Sequence, residues 1–244
     1  DVSEESREGW IQTQPSTDKY TLTLTSGGSE SSTHFGGYHV GVVSGNVYED
    51  LYANNTKDGN DGGLASWKVS ATSGDNSFTA ETDQDGNYSF SSLPPGTYTI
   101  SEVLQSPYVQ SEPTGGSYTF PHDGDDIGYE LSGANFGNYK TVSVSGSVFL
   151  DENNSGTRDA GENGVSSWSV VLSLDGSDDM TTTDGNGDYA YTEKLPGEYT
   201  LREDIALGYI QTYPRTQSYS LALPSGTEVT GKDFGIRVTT HGEF

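Results

Sequence analysis

The chain of 244 residues repeats itself, and this internal repeat constrains its fold more than any other feature. A shift of 101 residues aligns 44–113 with 145–214 without a gap, and 22 of the 70 aligned positions are identical. A shift of 199 residues aligns 1–38 with 200–237, with 14 of 38 positions identical. Self-similarity at a fixed period is typical of chains that place one folding unit after another.

The alignment predicts the domain organisation. We expect the C-terminal strands of a partial repeat in 1–38, a first complete repeat in 39–139 and a second complete repeat in 140–244. Two origins of the partial repeat stay open. It is either the native N-terminus or the remainder of a longer array from which the chain was cut.

Each repeat has the pattern of a β-sheet protein. Polar and apolar residues alternate in short runs that Gly, Pro, Asn and Asp clusters separate, for example in 145–150, 168–174, 187–191, 198–203 and 218–223. Alternation with a period of two is typical of strands with one buried face. About seven short strands in ~100 residues indicate a β-sandwich. The sequence therefore predicts an all-β chain of tandem sandwiches, with Trp67 and Trp168 in their cores.

The charge balance excludes several classes of partner. The chain has 11 Lys and Arg against 36 Asp and Glu, a net charge of −25. Too few cations are present to displace the counterions of a nucleic acid, and anionic membrane surfaces are disfavoured for the same reason. No apolar run approaches the ~18 residues that span a bilayer, so we expect no membrane insertion in this segment.

The strongest chemical signal is an acidic loop after the first strand of the second repeat. Its oxygen ligands occupy positions 1, 3, 5, 7, 9 and 12 of an EF-hand-type spacing, with a backbone carbonyl at position 7 and Gly156 at position 6. Ca²⁺ prefers six to eight oxygen ligands, and the glycine permits the sharp turn between them. We predict a calcium site formed by Asp151, Asn153, Ser155, Thr157, Asp159 and Glu162.

The first repeat has a weaker version of this loop. Its predicted ligands at positions 1, 5, 9 and 12 are Asp50, Asn54, Asp58 and Asp61. Tyr52 replaces the oxygen ligand at position 3, and Asn55 stands where the second loop has glycine, so we expect weaker or rearranged binding. In both repeats a further acidic element follows, around Asp83 and Asp85 and around Asp184. It is either a hairpin turn alone or a turn that also supplies metal ligands.

The motifs resemble a known family. They are Ser-Gly-x-Val-Phe-x-Asp-x-Asn, Gly-Glu-Asn-Gly-Val-x-x-Trp, Thr-Thr-Asp-x-x-Gly-x-Tyr, Leu-Pro-Gly-x-Tyr-Thr-Leu-x-Glu, Gly-Tyr-x-Gln-Thr and a closing Phe-Gly. Their order resembles the B-type repeat of serine-aspartate-repeat surface adhesins (SdrD-type), within the wider Cna-B class. The resemblance implies tandem prealbumin-like (Ig-like) sandwiches, calcium in the acidic loops, and an extracellular stalk or adhesive role in a cell-surface or secreted protein.

Many Cna-B domains also form an isopeptide bond between Lys and Asn beside a catalytic acid. The resemblance places that acid at Glu102 and Glu203. The first strands of both repeats carry no Lys, and Asp233 stands in the second repeat where the first has Asn135. We therefore expect no such bond, which leaves calcium as the reinforcement of these small sandwiches.

These observations favour a non-enzymatic extracellular structural or stalk module that Ca²⁺ rigidifies. Catalysis by paired carboxylates is disfavoured, because the acidic residues lie in loops with ligand spacing. One alternative is a self-assembling filament subunit, with strands of 1–38 completed by an identical chain in a head-to-tail arrangement. Another is a module that binds a host protein or a carbohydrate through exposed aromatic residues such as Trp10 and Tyr209.

Overall fold

The computed structural model describes residues 1–125 and 129–239, and within these ranges the regular secondary structure is β-strand. The chain forms two compact units. The first unit contains 1–49, 57–105 and 110–137, and the second contains 50–56, 106–109 and the chain from Asn138 onward. The predicted repeat limits follow the sequence alignment and stay a prediction. Residues 240–244 of the predicted second repeat lie outside the described residues.

The N-terminal segment contains two antiparallel strand pairs. β1 pairs with β3, and β2 pairs with β4. The strands are β1 (Val2–Ser3), β2 (Trp10–Gln14), β3 (Lys19–Tyr20) and β4 (Gly36–His39).

The first complete repeat consists of a five-stranded and a four-stranded sheet. The five-stranded sheet has the order β10-β13-β5-β12, with β8 also pairing with β5, and the four-stranded sheet has the order β11-β9-β6-β7. The strands are β5 (Gly41–Glu49), β6 (Lys68–Ser73), β7 (Asn76–Glu81), β8 (Asn87–Leu93), β9 (Gly96–Glu102), β10 (Val109–Glu112), β11 (Tyr118–His122), β12 (Glu130–Leu131) and β13 (Phe136–Tyr139).

The second repeat has the same architecture. One sheet has the order β17-β14-β22-β19, with β21 also pairing with β14, and the other has the order β16-β15-β18-β20. The strands are β14 (Val142–Leu150), β15 (Ser169–Leu174), β16 (Ser177–Thr182), β17 (Asp188–Lys194), β18 (Gly197–Glu203), β19 (Tyr209–Tyr213), β20 (Ser218–Leu223), β21 (Glu228–Val229) and β22 (Phe234–Val238). The first and last strands, β14 and β22, run parallel to each other.

The core of the second repeat lies between its two sheets. Val148 of β14 and Leu172 of β15 belong to one apolar cluster, together with Trp168. Trp67 and Trp168 are only 3% and 7% exposed, which confirms their predicted core positions. Burial of each large aliphatic side chain contributes about 1.5–3 kcal/mol. The prediction of an all-β fold with tandem sandwiches is confirmed.

Tyrosine supplies much of the core volume that the low hydrophobic content lacks. The chain has 16 Tyr, and several of their rings are buried. A buried phenol needs a hydrogen-bond partner, and these hydroxyls donate to nearby backbone carbonyls. The buried Tyr88 and Tyr199 donate to Ala134 at 2.6 Å and Leu195 at 2.7 Å, and the half-buried Tyr118 and Tyr219 donate to Asn135 and Asp233, both at 2.7 Å.

Two aromatic residues differ from the expectation that they are exposed. Trp10 is half-buried, and its ring packs edge-on against His39 with 5.7 Å between ring centroids. Tyr209 is also half-buried and packs edge-on against Trp168 at 5.1 Å. The cause is strand pairing, because Trp10 lies opposite His39 in β2 and β4, and Tyr209 begins β19.

Candidate metal centre in the acidic loops

Asp151 is the structural anchor of the second acidic loop. It directly follows β14 and is fully buried. Its backbone N–H donates to the carbonyl of Ile236 at 2.8 Å, which ties the loop to β22. Its two carboxylate oxygens accept hydrogen bonds from the backbone N–H groups of Ser155 and Gly156 at 2.9 and 3.0 Å. Position 1 therefore shapes the loop before any ligand is bound.

The middle of the loop brings polar oxygens together. The Asp159 carboxylate accepts hydrogen bonds from the amide of Asn153 and the hydroxyl of Ser155, both at 2.9 Å. These two bonds, that of Asn153 first, lower the pKa of Asp159. The Ser155 hydroxyl also lies 3.0 Å from the carbonyl oxygen of Thr157. The groups predicted at positions 3, 5, 7 and 9 are thus neighbours.

Glu162 closes the loop. One carboxylate oxygen accepts a hydrogen bond from the N–H of Glu152 at 3.0 Å, and the other accepts one from the N–H of Asp159 at 2.9 Å. The last predicted ligand therefore holds the start and the end of the loop together. Both of its oxygens point to the backbone of the loop.

The donor set fits a hard cation, because every predicted ligand atom is an oxygen and three of the six ligands are carboxylates. Within 1–125 and 129–239, no group of three or more His, Cys, Asp or Glu side chains surrounds a common metal position. In the second loop, neutral amide, hydroxyl and carbonyl oxygens lie between the carboxylates. A cation here would require Asp159 and Glu162 to turn from their internal hydrogen bonds towards it.

The first loop has the same anchor at its start. Asp50 is fully buried, and its carboxylate accepts hydrogen bonds from the N–H groups of Asn54 at 3.0 Å and Asn55 at 2.9 Å. Asn55 has a φ of 62°, close to the 78° of Gly156. Asparagine tolerates this left-handed conformation better than most residues. The replacement of glycine, which the sequence suggested as a weakness, therefore preserves the turn.

The later part of the first loop is stabilised by its own backbone. The Asp61 carboxylate accepts a hydrogen bond from the N–H of Asp58, and the Asp58 carboxylate accepts one from the N–H of Asn60, both at 2.9 Å. The middle position contributes a phenol, Tyr52, in place of a small oxygen ligand. The first loop therefore has fewer predicted ligands than the second.

Asp83 and Asp184 each hold a turn, but the strands that these turns join, β7 to β8 and β16 to β17, lie in different sheets, so the hairpin predicted here is wrong. One oxygen of Asp184 accepts hydrogen bonds from the N–H groups of Asn186 at 2.8 Å and Asp188 at 2.9 Å. Asp83 does the same for Asp85 and Asn87, at 2.9 and 2.8 Å.

The pKa values of both aspartates are lowered, chiefly by the backbone bonds from Asp188 and Asn87. The turn role is thus seen directly. A ligand role for Asp83, Asp85 and Asp184 stays a prediction.

The turn makes a close contact with the residues just after each acidic loop, which the sequence patterns did not predict. A Cβ added at Gly164 would lie only 1.7 Å from the carbonyl oxygen of Asn186, and one at Gly63 would lie 1.9 Å from that of Asp85. The guanidinium of Arg158 also donates to the carbonyl of Asn186 at 3.3 Å. One sequence feature could have indicated this contact, because Gly63 and Gly164 are identical in the repeat alignment.

A buried acid lies in the core of the second repeat. Glu203 faces inward from β18 and is 6% exposed. Burial raises its pKa to about 8, an effect that the nearby indole N–H of Trp168 partly opposes. Within the described residues neither carboxylate oxygen makes a hydrogen bond of normal geometry. The acid expected from the family resemblance is therefore present as a buried group that favours its neutral form.

Sequence comparison identifies the family. The profile of the SdrD B-like domain matches residues 41–137 and 142–239. The chain belongs to the SdrD B-like domain family. Such domains are structural parts of extracellular adhesins rather than enzymes, which confirms the predicted family, extracellular location and absence of catalytic function. Within residues 1–125 and 129–239, no helix is long and apolar enough to cross a membrane.

Relatives of this SdrD B-like chain include two serine-aspartate repeat-containing proteins. Protein F of Staphylococcus epidermidis (strain ATCC 12228) is 27% identical over 234 residues, which cover 88% of this chain and 14% of the relative. Protein D of Staphylococcus aureus (strain NCTC 8325) is 26% identical over 242 residues, which cover 93% and 17%. The chain thus spans less than a fifth of these relatives.

Matches among solved structures have lower sequence identity than these relatives. The Bacillus anthracis TIE protein has a TM-score of 0.37 and 15% identity, covering 82% of this chain and 34% of that one. The minor pilin GBS52 of Streptococcus agalactiae has a TM-score of 0.33 and 13% identity, covering 83% and 98%.

Proposed function

We propose that this chain is a stalk module of an extracellular adhesin-like protein, and that Ca²⁺ bound in its acidic loops makes the module rigid. The proposal rests on the arrangement of oxygen atoms in the second loop. Asp151 forms a buried anchor there, and the oxygens of Asn153, Ser155 and Asp159 already lie within hydrogen-bond distance of one another.

Electrostatics support this function. The chain has a net charge of −25, and four of its carboxylates lie in the second loop, three of them proposed ligands. Like charges in one loop repel each other, and a divalent cation would neutralise them. A ligand that binds only the folded state stabilises it by about 2.7 kcal/mol at 100 times its Kd. For a domain of ~100 residues this raises the midpoint of thermal unfolding by roughly 10–20 °C.

The proposed ligands differ between the two repeats. In the second they are Asp151, Asn153, Ser155, the carbonyl of Thr157, Asp159 and Glu162. In the first they are Asp50, Asn54, Asp58 and Asp61, which supply a smaller set. Asp83, Asp85 and Asp184 are assigned to turns first and to calcium only as additional ligands.

The test is thermal unfolding of the full chain in chelator, in millimolar Mg²⁺ and in millimolar Ca²⁺. We expect Ca²⁺ to raise the midpoint by roughly 10–20 °C and Mg²⁺ to raise it much less, because Mg²⁺ demands a tighter octahedral site. Isothermal titration gives the number of sites. An unfolding midpoint that is the same in chelator and in Ca²⁺ would contradict the calcium part of the proposal and leave the family assignment intact.

A second candidate function is assembly with identical chains. It is favoured by Ile11, which is 46% exposed in the two-stranded pair of β2 and β4. An exposed apolar strand can be covered by a strand of another chain. Light scattering with and without Ca²⁺ tests this function, and a monomer under both conditions would contradict it. Binding of a host protein or glycan is less favoured, because the rings of Trp10 and Tyr209 pack against their own neighbours.

A further inference from the structure

The two acidic loops differ most at positions 2 to 4. The first loop has Leu51-Tyr52-Ala53 there, and the second has Glu152-Asn153-Asn154. The first triplet is half-buried, whereas the second is exposed. Apolar residues at equivalent positions of one loop, and polar residues in the other, indicate that only the first loop has something to pack against.

The first triplet is held by a backbone hydrogen bond within its compact unit. Residues 50–56 belong to the second compact unit. Within that unit the backbone N–H of Ser225 donates to the carbonyl of Leu51 at 2.8 Å. The hydroxyl of Ser225 accepts a hydrogen bond from the N–H of Lys140, also at 2.8 Å. One serine thus connects the triplet to the start of the second repeat.

Side chains of the same unit face the triplet across an open pocket. Tyr52 and Ala53 line this pocket of about 440 Å³ with the apolar Leu174, Leu195 and Pro196 and with the acidic Asp175 and Glu198. Leu174 ends β15, and Leu195 and Pro196 lie between β17 and β18, so two connections between strands of the second repeat line this pocket.

A neighbouring contact in the same unit has a related arrangement. Residues 106–109 also belong to the second compact unit, and the ammonium of Lys140 lies 4.8 Å from the ring centroid of Tyr108. Two short segments of first-repeat sequence therefore meet at Lys140 and Ser225. The hydrogen bond between Ser225 and Leu51 therefore has a second contact beside it, that of Lys140 with the ring of Tyr108.

We propose that Leu51–Ala53 is an intramolecular docking segment whose partner is the surface formed by Ser225, Leu174, Leu195 and Pro196. The triplet Glu-Asn-Asn could form the backbone bond but would bring a charge and two amides to the apolar part of this surface. Tyr52 occupies position 3 of the first loop, where the second loop has the proposed calcium ligand Asn153. The residue at this position is thus used either for docking or as a calcium ligand. The docking proposal does not depend on calcium binding.

The test measures hydrogen exchange at the backbone N–H of Ser225 in the full chain, in chelator. A bond that is buried by docking protects this amide, and it exchanges by local opening of the segment. We expect Tyr52→Asn to speed its exchange about tenfold or more, while amides of β18 keep their native rate. Leu207→Asn is the matched control, because Leu207 is 95% exposed in the same unit.

Two results would overturn the proposal. One is an unprotected Ser225 amide in the native chain. The other is the same Ser225 exchange rate in Tyr52→Asn as in Leu207→Asn. If Tyr52→Asn does not fold, Leu195→Asn changes the opposite side of the pocket at a residue that is 50% exposed. Faster Ser225 exchange in Leu195→Asn than in Leu207→Asn supports docking, and equal rates overturn it.

Discussion

The backbone N–H of Asp151 donates to the carbonyl of Ile236 at 2.8 Å, so the acidic loop is fixed to the last strand of its sandwich. The carboxylate of the same residue shapes the loop through the N–H groups of Ser155 and Gly156. One residue thus links the core, the loop backbone and the proposed cation site. Its role in stability should be measurable without any metal.

Asp151→Ala is expected to lower the free energy of unfolding by about 2–4 kcal/mol in chelator, because two bonds to a buried carboxylate are lost. Urea denaturation followed by tryptophan fluorescence measures this change. Glu152→Ala is the control, since Glu152 is the exposed neighbour and not a proposed ligand. Equal stability of the two variants would show that the Asp151 carboxylate does not hold the loop.

Calcium stabilisation should depend more on the second loop than on the first. Asp159→Asn is expected to remove most of the rise in unfolding midpoint that millimolar Ca²⁺ produces, because it removes a carboxylate from the larger ligand set. Asp58→Asn, at the equivalent position of the first loop, should remove much less. A larger loss in Asp58→Asn would reverse the assignment of the stronger site.

The second repeat should become less stable as the pH rises from about 4.5 to about 8. The pKa of Glu203 is raised by burial from 4.5 to about 8, so the folded carboxyl keeps its proton across this window and the unfolded one does not. Its stabilising contribution is complete below the lower value and is lost as the pH passes the upper one.

Glu203→Gln removes this titration, and its unfolding free energy in chelator should depend less on pH than that of the native chain. Glu198→Gln is the control, because Glu198 lies exposed on the same strand, β18. General charge repulsion also weakens in acid, and it affects both variants alike. If the two variants have the same pH dependence, Glu203 is not the titrating group.

Gly164→Ala is expected to destabilise the second repeat by about 3 kcal/mol or more. The added Cβ would lie 1.7 Å from the backbone carbonyl oxygen of Asn186, so the turn at Asn186 would have to move. Gly185 lies in the same turn, directly before Asn186, and a Cβ added there would meet no atom within 4 Å. Gly185→Ala should therefore have little effect. Chemical denaturation of both variants compares them, and similar stabilities would mean that the turn adjusts freely.

Much of this fold could be predicted from local sequence. Strict alternation in 198–203 identified β18, since a half-buried strand exposes every second residue to water. The ligand spacing predicted Asn153 and Asp159 as ligands of one ion; the structure places them within hydrogen-bond distance, and their calcium role stays a prediction. Spacing records which residues a loop brings together, because a short loop has few conformations once its turn residues are set.

Other features depend on contacts between residues far apart in sequence. The same alternation places Glu203 inward, but only the assembled core shows that no bond of normal geometry to its carboxylate forms among the described residues. The docking of Leu51 on Ser225 joins residues 174 positions apart, and the repeat alignment marked it only as a departure at Tyr52. The residue pattern of one loop does not reveal which distant surface that loop contacts.

The parallel pairing of β14 and β22 has a mechanical consequence. Val148, Phe149 and Leu150 pair with Phe234, Gly235 and Ile236, so the chain enters the sandwich along one strand and leaves it in the same direction along the adjacent one. A pulling force between the two ends slides these strands past each other and loads their hydrogen bonds together. Opening them one by one would require a force across the strands. Tension on a surface-attached chain would thus act along the direction in which this module resists most.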